Sequence, residues 1–197
     1  MRHNISLAAS RFSLRPVETH DAEFIAALRG DHRLNRFINE SSPRIEDQIA
    51  WIEHYYNRSG EWYFIIEETA SGQKEGTIGI YDFDPGGKTA EWGRWIIRSG
   101  SLAAIESAIL IYRVAFEIIE LSSVFCRTVA DNSSVVSFHD SMGACRTGIL
   151  TDHVKIRGQE YDSIEHTMDT GIWDVVAPRL EALAVRLNQR TGRSKDA

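Results

Sequence analysis

Residues 91–119 read EWGRWIIRSGSLAAIESAILIYRVAFEII, which puts a strand, a turn of small residues and a long amphipathic helix in succession. Trp92, Gly93, Trp95, Ile96 and Ile97 make an apolar run of strand length, rich in aromatic and β-branched side chains. Arg98-Ser99-Gly100-Ser101 breaks it. Beyond the break, Ile105, Ala108, Ile109, Tyr112, Ala115, Phe116 and Ile119 recur every three or four residues, the period of one buried helix face. A helix that begins directly after a strand aims unpaired N–H groups, and the positive end of its dipole, at whatever lies off the strand end. Small residues there let a diphosphate approach the backbone. Taken alone, the stretch reads equally well as a plain strand-to-helix connection.

Upstream, residues 61–68 and 75–84 read as strands around the polar turn ASGQK, and Pro85 to Lys88 as a tight turn into a strand over 89–98. Residues 11–17 alternate polar and apolar, the pattern of a first strand. Helices are expected over 20–29, 31–38 and 44–57, the first capped by Thr19 and stopped by Gly30. Downstream, 123–130 is strand-like and must run parallel to the strand at 89–98, because a helix crosses between them. Asp131 to Ser134 offer N-caps for a helix over 133–142, ended by Gly143. Strands over 145–156 and 159–168 and a helix from Ile172 to Gln189 complete the chain. This is an α/β (α+β) order with a mixed, mostly antiparallel sheet, flanking helices and an extra C-terminal helix. The expected division is an N-terminal arm over 1–10, one domain over 11–170, the closing helix over 171–190 and a flexible tail over 191–197.

The composition suits one buried core: 197 residues, 43% hydrophobic, 25% charged and four prolines. A net charge of −6 with no cluster of basic residues argues against nucleic-acid binding. Cys126 and Cys145 show no metal or redox spacing and read as reduced core residues. The segment MRHNISLAASRF lacks a signal-peptide core, and no later run is long enough to span a membrane, so a cytoplasmic protein is expected.

Two blocks carry a family resemblance. Ala90-Glu91-Trp92-Gly93 fits x-E-x-G, and Asn132-Ser133-Ser134-Val135-Val136-Ser137-Phe138-His139-Asp140-Ser141-Met142-Gly143 fits N-x-x-[AV]-[IV]-x-[FL]-[YH]-x-x-x-G. With the strand–helix order on both flanks, the chain resembles the GNAT superfamily of N-acetyltransferases over roughly 150 residues. The resemblance implies acetyl-CoA as acetyl donor, direct attack by a primary amine in a ternary complex, no metal, and a monomer or homodimer. It implies that the backbone of Trp95, Ile96 and Ile97 holds the pantetheine arm, with Asn132, Val135 and Phe138 beside it. Arg98, Gly100, Ser101, Leu102, Ala103 and Ala104 are then the phosphate-facing turn. That turn departs from the family's [QR]-x-x-G-x-[GA], lacking its basic residue and central glycine, so binding there rests on backbone amides.

The finer resemblance is to acetyltransferases of nucleotide-linked amino sugars, the pseudaminic acid branch being similar. It runs through Leu28-Arg29, Phe37-Ile38-Asn39, Glu46-Asp47-Gln48, Trp51-Ile52 and Tyr63-Phe64. It implies acceptor contacts by Arg29, Phe37 and Trp92; separately, His153 and His166 on the paired C-terminal strands, together with Tyr161, read as the pocket's far wall. Acetylation of protein N-termini, as by the long-chain members acting on ribosomal proteins, and a non-catalytic acyl-CoA-binding domain are the alternatives.

Amine acetylation needs the amine deprotonated and the leaving thiolate protonated. Glu91, beside bulky Trp92, is the candidate base, because an apolar neighbour raises a carboxyl pKa. Its plainer alternative is a surface carboxylate paired with Arg94 or Lys88. His139 stands where the family carries a tyrosine acid, and either protonates the sulfur or hydrogen-bonds it through a neutral N–H. No histidine or cysteine spacing suggests a metal, and no G-x-S-x-G elbow suggests a hydrolase.

Overall fold

The computed structural model describes residues 2–193. Strands β1 (Leu7–Ala8) and β2 (Phe12–Pro16) lead through a short 3-10 turn into helices α1 (Ala22–Gly30) and α2 (Ile45–Tyr56). The meander β3 (Trp62–Glu68), β4 (Gln73–Asp84), β5 (Thr89–Ile97) follows, then α3 (Ala104–Arg113), β6 (Ser123–Val129) and α4 (Ser133–Met142). The hairpin β7 (Cys145–Ile156), β8 (Gln159–Asp169) and helix α5 (Thr170–Arg193) close the chain. One eight-stranded sheet runs in the order β1-β2-β3-β4-β5-β6-β8-β7. Among the described residues its pairings are antiparallel except β5 against β6, the parallel crossover expected around α3.

Strand alternation sorts the apolar side chains into two layers. Leu14, Phe64, Ile66, Ile78, Ile80 and Trp92 face α3 and α5, where Tyr112, Leu110, Trp173 and Leu180 are buried with them. Val17, Tyr63 and Ile65 face the other way, onto Ile25 of α1 and Ile52 and Tyr55 of α2. The first layer is the main core and the second forms the base of a cleft.

Asp21 joins elements that the sequence separates. Its carboxylate is fully buried, takes two bonds from Arg15 of β2 at 2.7 and 2.8 Å, and pairs with Lys74 of β4 at 2.6 Å. It also accepts the Glu18 N–H at 2.9 Å, fixing the chain's entry into α1. Burial pushes this carboxyl up, but the bonds from Arg15, Lys74 and Glu18 outweigh it and hold the pKa at about 2.

Three expectations are corrected. Residues 31–38 form turns and no helix. The Asp31 carboxylate accepts the Arg33 N–H at 2.9 Å, a bond that turns the chain at once, and Arg157 of the β7–β8 tip holds Asn35 and Glu40. The helix after β5 ends its α-helical part at Arg113 and continues as a π-helical turn over Val114–Ile118. Cys126 is buried as expected, whereas Cys145 on β7 is exposed. From residue 194 onward, the tail expected at the C-terminus lies outside the described residues.

Candidate active site

The parallel pairing of β5 with β6 is short. Thr89, Ala90 and Glu91 lie opposite Ser123, Val124 and Phe125, and among the described residues no pairing continues beyond Glu91. From that point β6 stays with β8 while the rest of β5 stays with β4, so the two strands part. The separation leaves backbone from Trp92 to Ile97 facing a gap, an edge that an extended amide-bearing chain can pair with. The pantetheine arm of acetyl-CoA is such a chain, and the residues present fit it.

A β-bulge coincides with the parting. The β4–β5 register passes from Gly79 opposite Gly93 to Thr77 opposite Ile96, one extra residue on β5. Arg94 takes φ 50°, and its carbonyl accepts the Thr77 hydroxyl at 2.8 Å. The extra residue resets the alternation. Trp92 and Trp95 therefore both lie against the α3 layer, 5.7 Å apart, while the Arg94 guanidinium lies on the opposite face, 4.5 Å from the Tyr81 ring.

Glu91 is 8% exposed at the last paired position. Tyr81 donates to its Oε1 at 3.0 Å and Arg127 of β6 to its Oε2 at 3.2 Å. Burial raises its pKa above the ordinary carboxylate value, partly offset by the bond from Tyr81 and the charge of Arg127. Its partners are therefore Tyr81 and Arg127, neither Arg94 nor Lys88. Gly93 accounts for the glycine two residues on: a Cβ there would strike the Tyr81 hydroxyl, so a side chain would displace the residue that bonds Glu91.

Tyr81 and Arg94 also line a cleft of about 610 Å³, with Arg29, Gln48, Trp51 and Tyr63. Trp51 stacks on Tyr55 at 5.9 Å, and the Arg94 guanidinium lies 5.3 Å from the Trp51 ring while bonding Glu61 at 2.8 Å. Its Nη1 is buried without a hydrogen-bond partner among the described residues. This cleft is large enough to admit a small molecule.

The residues expected to meet the acceptor fall into three groups. Arg29 lines the cleft. Phe37 and Tyr161 meet edge to face at 6.2 Å where the 31–44 turns abut the β7–β8 hairpin, away from Glu91. Trp92 does not line this cleft: at 2% exposure it is buried in the α3 layer against Tyr112, because its position puts it on the sheet face opposite Glu91.

In the turn after β5, Gly100 (φ 82°) reverses the chain and the Ser101 hydroxyl accepts the Ala103 N–H at 3.2 Å. Leu102 is exposed, Ala103 is fully buried and Ala104 begins α3. The Arg98 guanidinium is held by Glu75 at 2.7 Å, so its charge is already neutralised. Asn132 stands at the N-cap of α4, its side-chain oxygen accepting the Ser134 hydroxyl at 3.2 Å, and Val135 and Phe138 are half-buried.

His139 is 2% exposed and packs 5.1 Å from Trp92 and 5.3 Å from His166. Burial, helped by His166, lowers its pKa to about 4, so the ring is neutral at pH 7. Of the two roles open to it, proton donation as an imidazolium is disfavoured and a neutral N–H remains. His166, also buried, reaches Asp140 at 3.2 Å, which Arg146 clamps from outside. No cluster of metal-binding side chains occurs among the described residues.

Tyr81 and Arg127 escaped the sequence reading, and Arg94 entered it only as a surface partner for Glu91. Their roles depend on strand register and on the bulge, and no motif marks them.

The sequence pattern of the GNAT acetyltransferase domain matches residues 11–144, and the chain belongs to that family: it is a GNAT-type acetyltransferase. Among solved structures it is similar to apo FdhC, a nucleotide-linked sugar GNAT, at 32% identity, covering 87% of this chain and 94% of that one with a TM-score of 0.75. A GCN5-related N-acetyltransferase from Brucella melitensis shares the fold at 16% identity, with a TM-score of 0.81 over 93% of this chain and 86% of that one. A spermidine N-acetyltransferase from Vibrio cholerae, solved with CoA and spermine, does so at 17% identity, 0.75, 83% and 98%. Among curated proteins none matches. No helix among the described residues is long and apolar enough to cross a membrane.

Proposed function

We propose that the protein acetylates the amino group of a nucleotide-linked amino sugar, with acetyl-CoA as donor. The observation that carries the acceptor class is the 32% identity with a nucleotide-linked sugar GNAT across nearly the whole of both chains. The cleft agrees with it in chemistry. Half-buried Trp51 offers apolar ring surface to a sugar, and Gln48 lines the same cleft with an amide that can meet its hydroxyls.

Bound acetyl-CoA supplies an acetyl thioester. Trp95, Ile96 and Ile97 would hold its pantetheine arm from β5, Asn132, Val135 and Phe138 would flank it, and the turn from Gly100 to Ala104 would meet its phosphates through backbone N–H groups. Arg98, neutralised by Glu75, contributes backbone there and little charge.

Glu91 takes the proton of the attacking amine on a carboxylate oxygen, directly or through one water. Its raised pKa makes it a better proton acceptor than a solvated glutamate. Tyr81 and Arg127 fix the orientation of that carboxylate. His139 directs a neutral imidazole N–H at the leaving sulfur.

Acetyl transfer assayed in parallel against nucleotide-linked amino sugars, spermidine and N-terminal peptides tests this function. The nucleotide-linked sugar is expected to be turned over with the highest kcat/KM. A preference for spermidine or a peptide would overturn it, and absence of acetyl-CoA binding at millimolar concentration would exclude catalysis altogether.

A further inference from the structure

A second cleft, of about 680 Å³, adjoins the first. Arg29, Glu40, Ser41 and Ser42 line both, so the two form one trough running from Tyr81 towards the β7–β8 hairpin. The second cleft carries the guanidinium groups of Arg29, Arg36 and Arg157, and among the described residues Glu40 is its only lining carboxylate. The first also carries three guanidinium groups, Arg29, Arg58 and Arg94, but Glu61 holds Arg58 and Arg94, and Asp47 lines it as well.

Arg157 spends its charge on Glu40 at 3.2 Å. Arg29 bonds the Ser41 hydroxyl at 3.0 Å and the Asn39 carbonyl at 2.9 Å, both neutral. Arg36 lies 4.8 Å from the Phe37 ring. Among the described residues, neither Arg29 nor Arg36 has a carboxylate partner. In a chain of net charge −6, two uncompensated guanidinium groups in one cleft make a local anion site. Planar guanidinium forks suit phosphate oxygens, which they can bond in pairs.

We infer that this second cleft holds the diphosphate of the acceptor, with the amino sugar lying in the first cleft and its amine near Glu91. The assignment rests on the proposed acceptor class, and it adds where the nucleotide lies and which residues read it. The order of groups along the trough matches that of the ligand: amine, sugar ring, diphosphate. Arg29, at the junction, bonds the phosphate next to the sugar, and Arg36 the outer one. Arg157 acts indirectly, holding the 31–44 turns through Glu40 and Asn35.

The test uses the full chain with its donor site saturated by CoA, so that phosphate binding at that site does not interfere. UDP and dTDP are titrated calorimetrically into the wild type and into Arg36→Glu, Arg36→Lys and Arg29→Gln. Arg36 is exposed, so its variants keep the fold. Arg36→Glu is expected to weaken nucleoside diphosphate binding at least about tenfold, Arg36→Lys by less, with affinity falling as salt rises. Arg36→Glu should also raise KM for a nucleotide-linked acceptor more than it lowers kcat.

Failure to bind UDP or dTDP, or binding indifferent to both Arg29 and Arg36, would overturn the assignment. If nucleoside diphosphates bind in an Arg36-dependent way yet nucleotide-linked amino sugars are not acetylated, the cleft assignment stands and the proposed acceptor fails. If such sugars are acetylated with KM unaffected by either arginine, the acceptor stands and the cleft assignment fails.

Discussion

Tyr81 donates its hydroxyl to Glu91 Oε1 across 3.0 Å, at the position where β5 and β6 stop pairing. A buried carboxylate is thereby held at the fork of the sheet, between the strand gap and the acceptor cleft. If Glu91 is the base, Glu91→Gln, which preserves shape and removes basicity, should lower kcat by about 10² to 10⁴-fold. Acetyl-CoA affinity should change little, because Glu91 is not among the residues proposed to hold the donor. Steady-state kinetics and calorimetry measure the two separately, and an unchanged kcat would leave Glu91 a structural carboxylate.

Tyr81→Phe tests the same pair through pH. The bond from Tyr81 lowers the Glu91 pKa against the larger upward effect of burial. Removing it therefore raises that pKa further, and the acidic limb of kcat/KM moves to higher pH. A charge-assisted hydrogen bond is worth about 1.5–3 kcal/mol, so a shift of about one to two units is expected. A limb that stays in place would mean that the titrating group is not Glu91.

The order of elements around this pair was legible from sequence because it depends on local period and capping. Periodicity marked the helix after β5, and Asn132 and Gly143 bracketed α4, whose bounds Ser133–Met142 match the expectation. What depends on register was hidden. WGRW reads as uninterrupted strand, so the bulge at Arg94 and the reorientation of Trp95 could not be seen. Trp92 is a different case: period-two alternation from Glu91 already places it on the opposite face, so its burial away from the acceptor was legible. The helix expected over 31–38 failed because Asp31 turns the backbone and Arg157, more than a hundred residues away in sequence, holds the resulting turns.

His139 should affect stability in a defined pH window. Its folded pKa, about 4, lies below the ordinary 6.5, so between those values the unfolded chain binds more protons than the folded one. Stability attributable to His139 is then complete above pH 6.5 and declines as pH falls towards about 4. His139→Phe, which keeps an aromatic ring among Trp92, Trp95 and Phe138, should flatten that decline. Urea denaturation at pH 7 and at pH 4.5 reads the difference. A decline equally steep in the variant would assign it to other groups, His3 first, since burial also lowers its pKa to about 4.

Asp21 gives the same sign in a more acidic window. Its carboxylate joins β2, β4 and the start of α1, the helix that brings Ile25 and Arg29 to the acceptor cleft. Asp21→Asn keeps the volume but removes the negative charge facing Arg15 and Lys74. Breaking a buried pair from one side costs about 3–5 kcal/mol, because the remaining charge is left uncompensated. The folded pKa of Asp21, about 2, is depressed from 3.8, so its contribution is complete above pH 3.8 and is lost as pH falls towards 2. The stability gap between wild type and Asp21→Asn should therefore be widest near neutral pH and narrow through that acidic window. Chemical denaturation at pH 7, 4 and 2.5 measures it. A gap independent of pH would mean that the Asp21 backbone bonds, and not its charge, hold α1 in place.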